Sequence, residues 1–500
     1  MTDSDKQPLA ERGNNRSHTP KTAQFAQFIG EDWGERPAGP ARGEAADYVP
    51  ARHDALLAAF PDDVLVIPAG NLKVRNNDCD YRFRATAAFA HMTGLGAELE
   101  PEAVLVLDAS AKERATLYFH PRTPRTDSEF YADSRYGEFW VGARPSLQEM
   151  ETLTGIHCEA IAQLRADLAA AVVTRGRGIR LLAGADPAID SIVQAVRLQA
   201  GVAGDQSERD ADLAEALSEL RLRKDTYEIG QMQKAVDATF EGFDEIIASL
   251  PRAQQHHRGE RVVEGAFNAK AREEGNGLGY DTIAAAGEHA NTLHYMTNDG
   301  QTMPGDLILV DAGIEVDSLY TADITRTLPI NGTFSPVQAQ IYQTVLDACE
   351  AALEAANKPG AIFRDVHDAA MDVIAHRLEE WGILPGTAEV SLTDAGGWHR
   401  RWMPHGTSHH LGLDVHDCAE ARRSMYMDGK LEPGMVFTIE PGLYFHADDL
   451  KVPEEFRGIG VRIEDDVVVR ENGRVERLSE KIPRTIADVE AWMKRVLDKH

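Results

Sequence analysis

The sequence predicts an α+β protein built of two domains, and three observations lead there. At 500 residues the chain exceeds what a single hydrophobic core organises, so at least two domains are expected. Its first part interleaves short apolar runs with helix-like segments, the pattern of an α/β domain. Its second part passes through the order helix, helix, strands and then through the same order again, a quasi-repeat too long for a solenoid and too rich in strands for a bundle.

The elements follow in order. Residues 1–46 are rich in Gly, Asn, Gln, Arg, Pro and Glu with little periodic apolar content, so a flexible N-terminal tail is expected. Order is expected from near Val49, with a helix over 51–59 and a strand at Val64-Leu65-Val66-Ile67 closed by Pro68-Ala69-Gly70. Strands at 103–107 and 116–119 and helices over 149–153, 160–171 and 189–200 complete an α/β domain spanning residues 47–215. The second domain, 216–500, opens on Asp225-Thr226-Tyr227-Glu228, a D-x-x-E capping box that starts a long amphipathic helix reaching about residue 249. A helix over 261–274 and strands at 282–286, 307–312 and 320–328 come next, the last two joined by a turn at Val316-Asp317-Ser318. Ser335-Pro336-Val337-Gln338 is a second capping box, with proline at the first helical position. Its helix ends before Lys358-Pro359-Gly360, another runs over 364–381, and strands return at 435–440 and 459–470. A site between the two halves would draw its side chains from both.

Composition narrows the function classes. The hydrophobic fraction is 43%, ordinary for a globular protein, and no apolar run approaches the roughly 20 residues that span a bilayer. A soluble protein is expected. Met1 to Pro8 is polar and acidic, without the basic and apolar regions of a secretory signal, which points to the cytoplasm. The four cysteines stand far apart with no C-x-x-C pair, against both a disulfide framework and a cysteine zinc site. Asp plus Glu exceed Lys plus Arg by 81 − 52 = 29, a charge that repels nucleic acid and anionic membranes.

Acidic residues at strand ends carry the first chemical signal. Asp311 closes Leu307-Ile308-Leu309-Val310, and Asp323 stands on the next strand before Thr325-Arg326. A hairpin brings two such carboxylates side by side. Taken alone, an aspartate after a strand is more often a turn or cap residue. Glu440, which ends Val436-Phe437-Thr438-Ile439, and Glu464, which precedes Asp465-Asp466, alter that balance. Four carboxylates buried in one place would repel prohibitively without cations, so their convergence would itself imply divalent metal. His405, His409, His410 and His416 fall within twelve positions. Any one of them alone reads more readily as a surface or satisfied core imidazole, and His410 keeps that reading. One imidazole with four carboxylates is a hard, oxygen-rich set suited to manganese, and also to cobalt, zinc or iron. Gly406 and Gly412 flank the segment, so a loop or bent strand is expected instead of the helix of an H-E-x-x-H protease.

Several motifs in a fixed order resemble aminopeptidase P, also called Xaa-Pro aminopeptidase. They are Val310-Asp-Ala-Gly313, Thr321-Ala-Asp-Ile-Thr-Arg-Thr327, His405-Gly-x-Ser-His409, Leu413-Asp-Val-His-Asp417, Ile439-Glu-Pro-Gly-Leu-Tyr444 and Val461-Arg-Ile-Glu-Asp-Asp466. The likeness runs from about 222 to 484, and Tyr81 to Asp108 is similar to that family's creatinase-type N-terminal domain. It implies a pita-bread catalytic domain binding two divalent metal ions, manganese above all. Asp311, Asp323, His409, Glu440 and Glu464 would be the ligands, with Asp323 and Glu464 bridging the ions. The same resemblance makes Glu440 the acid/base for the water proton, places His294 and His416 beside the tetrahedral intermediate and the proline carbonyl, and puts His405 in the same pocket. Arg462, two residues from Glu464 on an expected strand, would orient ligand carboxylates. The implied partners are peptides with proline at the second position, and the implied assembly is a homodimer or homotetramer.

Departures and rivals stand beside this. Ile314 to Leu319 is one residue longer than the family pattern, which a bulge would absorb. The segment Gly396-Gly-Trp-His-Arg-Arg-Trp402 either lines substrate or packs, with packing favoured. A prolidase restricted to dipeptides would share all five ligands, while Thr325-Arg326-Thr327 and Ser408 look more like aminopeptidase P. A metal-free creatinase-like hydrolase or a non-catalytic binding protein of this fold should lack the full ligand set.

Overall fold

The computed structural model describes residues 20, 22–76, 79–98, 100–202 and 204–499. The chain forms two compact units that adjoin in sequence at Ala214 and Glu215. Among the described residues no helix is long and apolar enough to cross a membrane.

In the first unit, strands β1 (Asp63–Pro68), β2 (Val104–Asp108), β3 (Ala115–Phe119), β4 (His157–Ala160) and β5 (Gly178–Leu181) make one sheet in the order β4-β3-β2-β1-β5. The three inner strands pair antiparallel, and β4 and β5 add in parallel at the edges. Burial along the whole of β1 and β2 explains their unbroken apolar runs, since a strand covered on both faces need not alternate. The edge strands were not expected: β4 ends at Ala160, a 3₁₀ turn spans Ile161–Gln163, and the predicted 160–171 helix begins at Leu164. Val64, Val104, Leu164, Leu168 and Val193 share the core beneath, each such burial contributing about 1.5–3 kcal/mol.

Part of the expected flexible tail, residues 1–19 and 21, lies outside the described residues. From Thr22 onward the segment is ordered instead. Thr22 caps the helix Ala23–Gly30, Phe25 meets the Tyr131 ring, and Trp33 meets Phe130 and Phe139, with centroids 5.3–5.9 Å apart. Arg36 forks onto Glu138 through two bonds of 2.7 Å. Composition hid this because a few large aromatics anchor a long polar stretch.

The second unit contains α1 (Thr226–Ala253) and α2 (Gly259–Glu274) followed by β6 (Ile283–Ala286), β7 (Leu307–Ala312) and β8 (Ile324–Pro329). Then come α3 (Pro336–Ala356) and α4 (Phe363–Glu380), strands β9 (Val436–Ile439), β10 (Gly442–Phe445), β11 (Ile459–Arg462), β12 (Asp465–Val469) and β13 (Val475–Arg477), and the closing helix α5 (Ile486–Leu497). Both predicted capping boxes form: Asp225 with Glu228 and Ser335 with Gln338 exchange side-chain and backbone bonds, each cap contributing about 1 kcal/mol. In the first half β7 is central, flanked by β6 and β8, with Asp311 opposite Thr325.

The expected strand over 459–470 is broken. Its first piece, β11, pairs with β10, and its second, β12, pairs with β9. Opposite the break stands Pro441, which has no N–H for a ladder, so both chains bend together. Glu464 at the bend donates its amide to the Thr325 carbonyl at 3.1 Å, joining the second half to β8 of the first. Beside it, buried Asp465 forms ion pairs with Arg326 at 2.7 Å, Arg477 at 3.0 Å and Arg484 at 3.1 Å, and accepts from the Ser479 hydroxyl at 2.8 Å. Arg326 also donates to the Glu464 carbonyl at 2.6 Å. Burial raises the Asp465 pKa, but the three guanidiniums outweigh it and hold the carboxyl well below its ordinary range.

The connection from β7 to β8 places Leu319 at φ 68°, a left-handed conformation costing roughly 1–2 kcal/mol for a residue with a side chain. Gly313 makes the return possible: a Cβ there would lie 1.8 Å from the Ala322 carbonyl oxygen. Gly313→Ala is therefore expected to spread the strands that carry Asp311 and Asp323 and to cost about 1–3 kcal/mol. A urea melt that matched wild type would contradict this packing account.

Candidate metal centre

Each acid in the centre sits where a strand ends or bends. Asp311 is the last residue but one of β7, Asp323 immediately precedes β8, Glu440 follows β9, and Glu464 occupies the gap between β11 and β12. The histidine segment runs alongside β9 without becoming a regular strand: Glu440 donates to Thr407, Thr438 to His409 and Leu411 to Val436, at 2.8, 3.0 and 3.2 Å. The ladder holds the His409 backbone while leaving the flanking loop free to bend, as expected for a bent strand. All nine candidate residues, namely His294, Asp311, Asp323, His405, His409, His416, Glu440, Arg462 and Glu464, line one cavity of about 370 Å³.

The distances are those of a compact donor set. His409 Nε2 lies 3.2 Å from Asp323 Oδ2 and 3.6 Å from Glu440 Oε1. Asp323, His409 and Glu464 each offer a ligand atom, all within 4.8 Å of one another. Arg462 does not reach Glu464 along a shared strand as expected, because the strand breaks between them. Its guanidinium instead donates to Asp311 at 2.5 Å, to the Thr325 hydroxyl at 3.1 Å and to Tyr444 at 3.0 Å, while Thr325 donates to Glu464 at 2.7 Å. Arg462 thus orients one acid directly and another through a threonine.

His405 ends a chain of bonds. Gly406 O can only accept, so His405 Nδ1, at 2.6 Å, carries the proton. Nε2 then accepts from the Tyr444 hydroxyl at 2.8 Å, which itself accepts from Arg462. Burial, reinforced by the Arg462 charge, pushes His405 down to about 3, so the ring is neutral. His416 stands edge-on to His409, ring centres 4.4 Å apart, and burial followed by that neighbour lowers its pKa.

Crowded acids respond as physics requires. Burial, with only partial relief from His409 and Arg462, raises Glu440 to about 7. Glu464 is raised well above its ordinary range by burial and by Asp323, Glu440 and Asp311, and Asp311 is raised by burial against the pull of Arg462. Asp323 moves the other way, because hydrogen bonding and charge from His409 outweigh burial. For the same reason His409 rises to about 9 despite its burial. A donor set of one imidazole and four carboxylates, repelling one another in a cavity, fits divalent cations: they would remove the repulsion that raises these acids.

One residue of the site was missed in the sequence. The Tyr280 hydroxyl lies 2.6 Å from Asp311 Oδ1 and 2.5 Å from Asp323 Oδ1, yet has one proton to donate. A lone tyrosine in the loop before β6 shows no pattern to mark it. Indirect signals exist, since Gly313 also admits the Tyr280 ring, whose Cε1 would lie 3.0 Å from a Cβ there.

Two outcomes follow. Metal must bind the ionised acids, and Glu440 in the metal-free protein titrates near 7 against an ordinary 4.5. Metal uptake at pH 6 should therefore release protons and weaken as pH falls, while the metal-free fold loses stability as pH rises from about 4.5 through about 7. Calorimetry in buffers of different ionisation enthalpy measures this, and buffer-independent heats at pH 6 would contradict it. Tyr280→Phe should lower metal affinity by about 10-fold with the fold kept, the usual scale for losing a bond to a ligand carboxylate. An unchanged titration would show that the hydroxyl does not orient the ligands.

Comparison with known proteins gives the family. Residues 230–471 match Metallopeptidase family M24, and residues 50–179 match the aminopeptidase P N-terminal domain. The chain is 48% identical over 490 residues to Xaa-Pro aminopeptidase 2 of Streptomyces coelicolor, covering 97% of this chain and 99% of the relative. The solved structure of Pseudomonas aeruginosa aminopeptidase PepP superposes with a TM-score of 0.77 at 31% identity, over 91% of this chain and 99% of that one. A zinc-substituted Escherichia coli aminopeptidase P in complex with product gives 0.76 at 30% identity, over 91% and 99%. The second unit is thus a pita-bread catalytic domain, and the chain is an enzyme that belongs to the Xaa-Pro aminopeptidase family of metallopeptidases.

Proposed function

We propose that the protein is a dinuclear-metal aminopeptidase that hydrolyses the bond between an N-terminal residue and a following proline. What carries this reading is likeness along nearly the whole chain to a Xaa-Pro aminopeptidase, in a protein whose four carboxylates and His409 meet in one cavity. Asp311, Asp323, His409, Glu440 and Glu464 would hold two divalent ions. Manganese suits so oxygen-rich a set. Bound there, divalent ions supply Lewis acidity, lowering the pKa of water and polarising a peptide carbonyl.

The chain's own groups do the rest. Glu440, whose acidity lies near neutrality without metal, takes the water proton and returns it to the leaving proline nitrogen. His416 and His294 line the cavity and donate toward charge developing on the scissile and proline carbonyls. His405, neutral and tied to Tyr444, lines the same cavity and positions the substrate. Arg462 favours the ionised form of Asp311 and fixes its carboxylate through a 2.5 Å bond. The proposal extends to a cytoplasmic homodimer or homotetramer that binds neither nucleic acid nor membrane. Four free cysteines suit a reducing compartment, and exposed Trp33, Phe139, Trp140 and Val141 offer an apolar surface for self-association. Sedimentation as a monomer would remove the assembly from the proposal.

Activity should vanish in chelator and return with manganese, with two ions per chain by elemental analysis. At equal metal loading, Xaa-Pro-Yaa tripeptides should show higher kcat/KM than the matching Xaa-Pro dipeptides, and peptides lacking proline at the second position should be nearly inert. A strong dipeptide preference would identify a prolidase, and full activity without divalent metal would overturn the proposal.

A further inference from the structure

We propose that His367, held in one tautomer by Arg400, is a positioning residue that fixes the histidine segment against the metal centre. The inference rests on the reading of that site as a metallo-aminopeptidase. Neither residue lines the catalytic cavity.

Geometry carries the argument. His367 lies on α4 one turn after Phe363, so the two share a face of the helix. The Phe363 ring stacks on His410, with centroids 4.6 Å apart and planes 17° from parallel. His367 Nδ1 lies 3.2 Å from the Thr407 hydroxyl. One helix face therefore grips the segment on both sides of His409. Thr407 is fully buried, and its carbonyl accepts the Glu440 amide at 2.8 Å. Whatever fixes Thr407 also fixes the imidazole two residues on and the carboxylate across the ladder.

Arg400 decides which way the His367 ring works. Its Nη1 lies 3.1 Å from His367 Nε2, and its Nη2 donates to the Pro404 carbonyl at 2.6 Å. A guanidinium only donates, so Nε2 accepts and Nδ1 keeps its proton for Thr407. Burial and the Arg400 charge lower His367 to about 4, which keeps the ring in that neutral form. Two neighbours in the 396–402 segment turn to Asp449 instead: Arg401 forks onto it through two bonds of 2.9 Å, and buried Trp402 donates to the same carboxylate at 3.0 Å. These bonds anchor the backbone from which Arg400 reaches His367.

The test uses the full-length enzyme saturated with manganese. His367→Asn places an amide nitrogen where Nδ1 stood, whereas His367→Gln reaches the place of Nε2. His367→Ala, His367→Gln and Thr407→Val should each lower kcat by about three- to tenfold, the scale of one lost hydrogen bond, with KM within about twofold. Manganese affinity by calorimetry should weaken by a similar factor, and His367→Asn should restore both readouts. Arg400→Ala should behave like His367→Ala, and the double variant no worse than either single one. Equal behaviour of the Asn and Gln variants, or losses that merely track the melting temperature across the series, would overturn the inference. An inactive wild type would instead defeat the functional reading, and the manganese titrations would still distinguish Asn from Gln.

Discussion

Four carboxylates have to be held together around one cavity, most of them buried, and much of the second unit serves that requirement. Two like charges 4 Å apart repel by about 4 kcal/mol at an effective dielectric of 20, so a cradle with slack would let the acids drift apart. The frame has none. β7, β8, β9 and β12 are buried along their whole lengths, and each acid stands at the end or bend of such a strand. Arg462 and Tyr280 clamp Asp311, Thr325 clamps Glu464, and the cluster around Asp465 fixes the backbone on which Glu464 stands.

Why acids occupy strand ends is then a matter of chain direction. At such a point the ladder stops supplying partners, and backbone and side chain can turn together toward a shared space. The bend at Pro441 and the break at Glu464 are one feature seen from two strands. Together they carry two of the acids to the place where β7 and β8 deliver the others. The two helix pairs support this from outside, and α4 reaches the histidine segment through Phe363 and Thr407's partner His367.

Legibility in the sequence tracked how local each feature is. Capping boxes at Asp225 and Ser335 depend on residues three apart and were readable directly. Inner strands such as β1 and β7 announce themselves as apolar runs. The edge strands β4 and β5 mix polar and apolar residues, as in Gly178-Ile179-Arg180-Leu181, and carry too short a pattern to separate from helix. The break after Arg462 is not local, since it depends on Pro441, which is distant in sequence and opposite in space. The nine residues of the candidate site were named through motif order, whereas Tyr280 belongs to no pattern and emerges only when the two aspartates it bridges are seen together. Likewise Phe25, Trp33 and Arg36 order a segment whose composition argues for a tail.

The Asp465 cluster also bears on how the chain is made. Two of its three guanidiniums, Arg477 and Arg484, follow Asp465 in the chain, and removing a partner from a buried ionic group costs about 3–5 kcal/mol. A ribosome delivers residues in order and lets early domains fold first. The sheet of the first unit can close while the rest is still being synthesised, but Glu464 cannot settle until Arg477 and Arg484 have left the exit tunnel. The bend that carries Glu464 is therefore completed later in synthesis than the strands it joins.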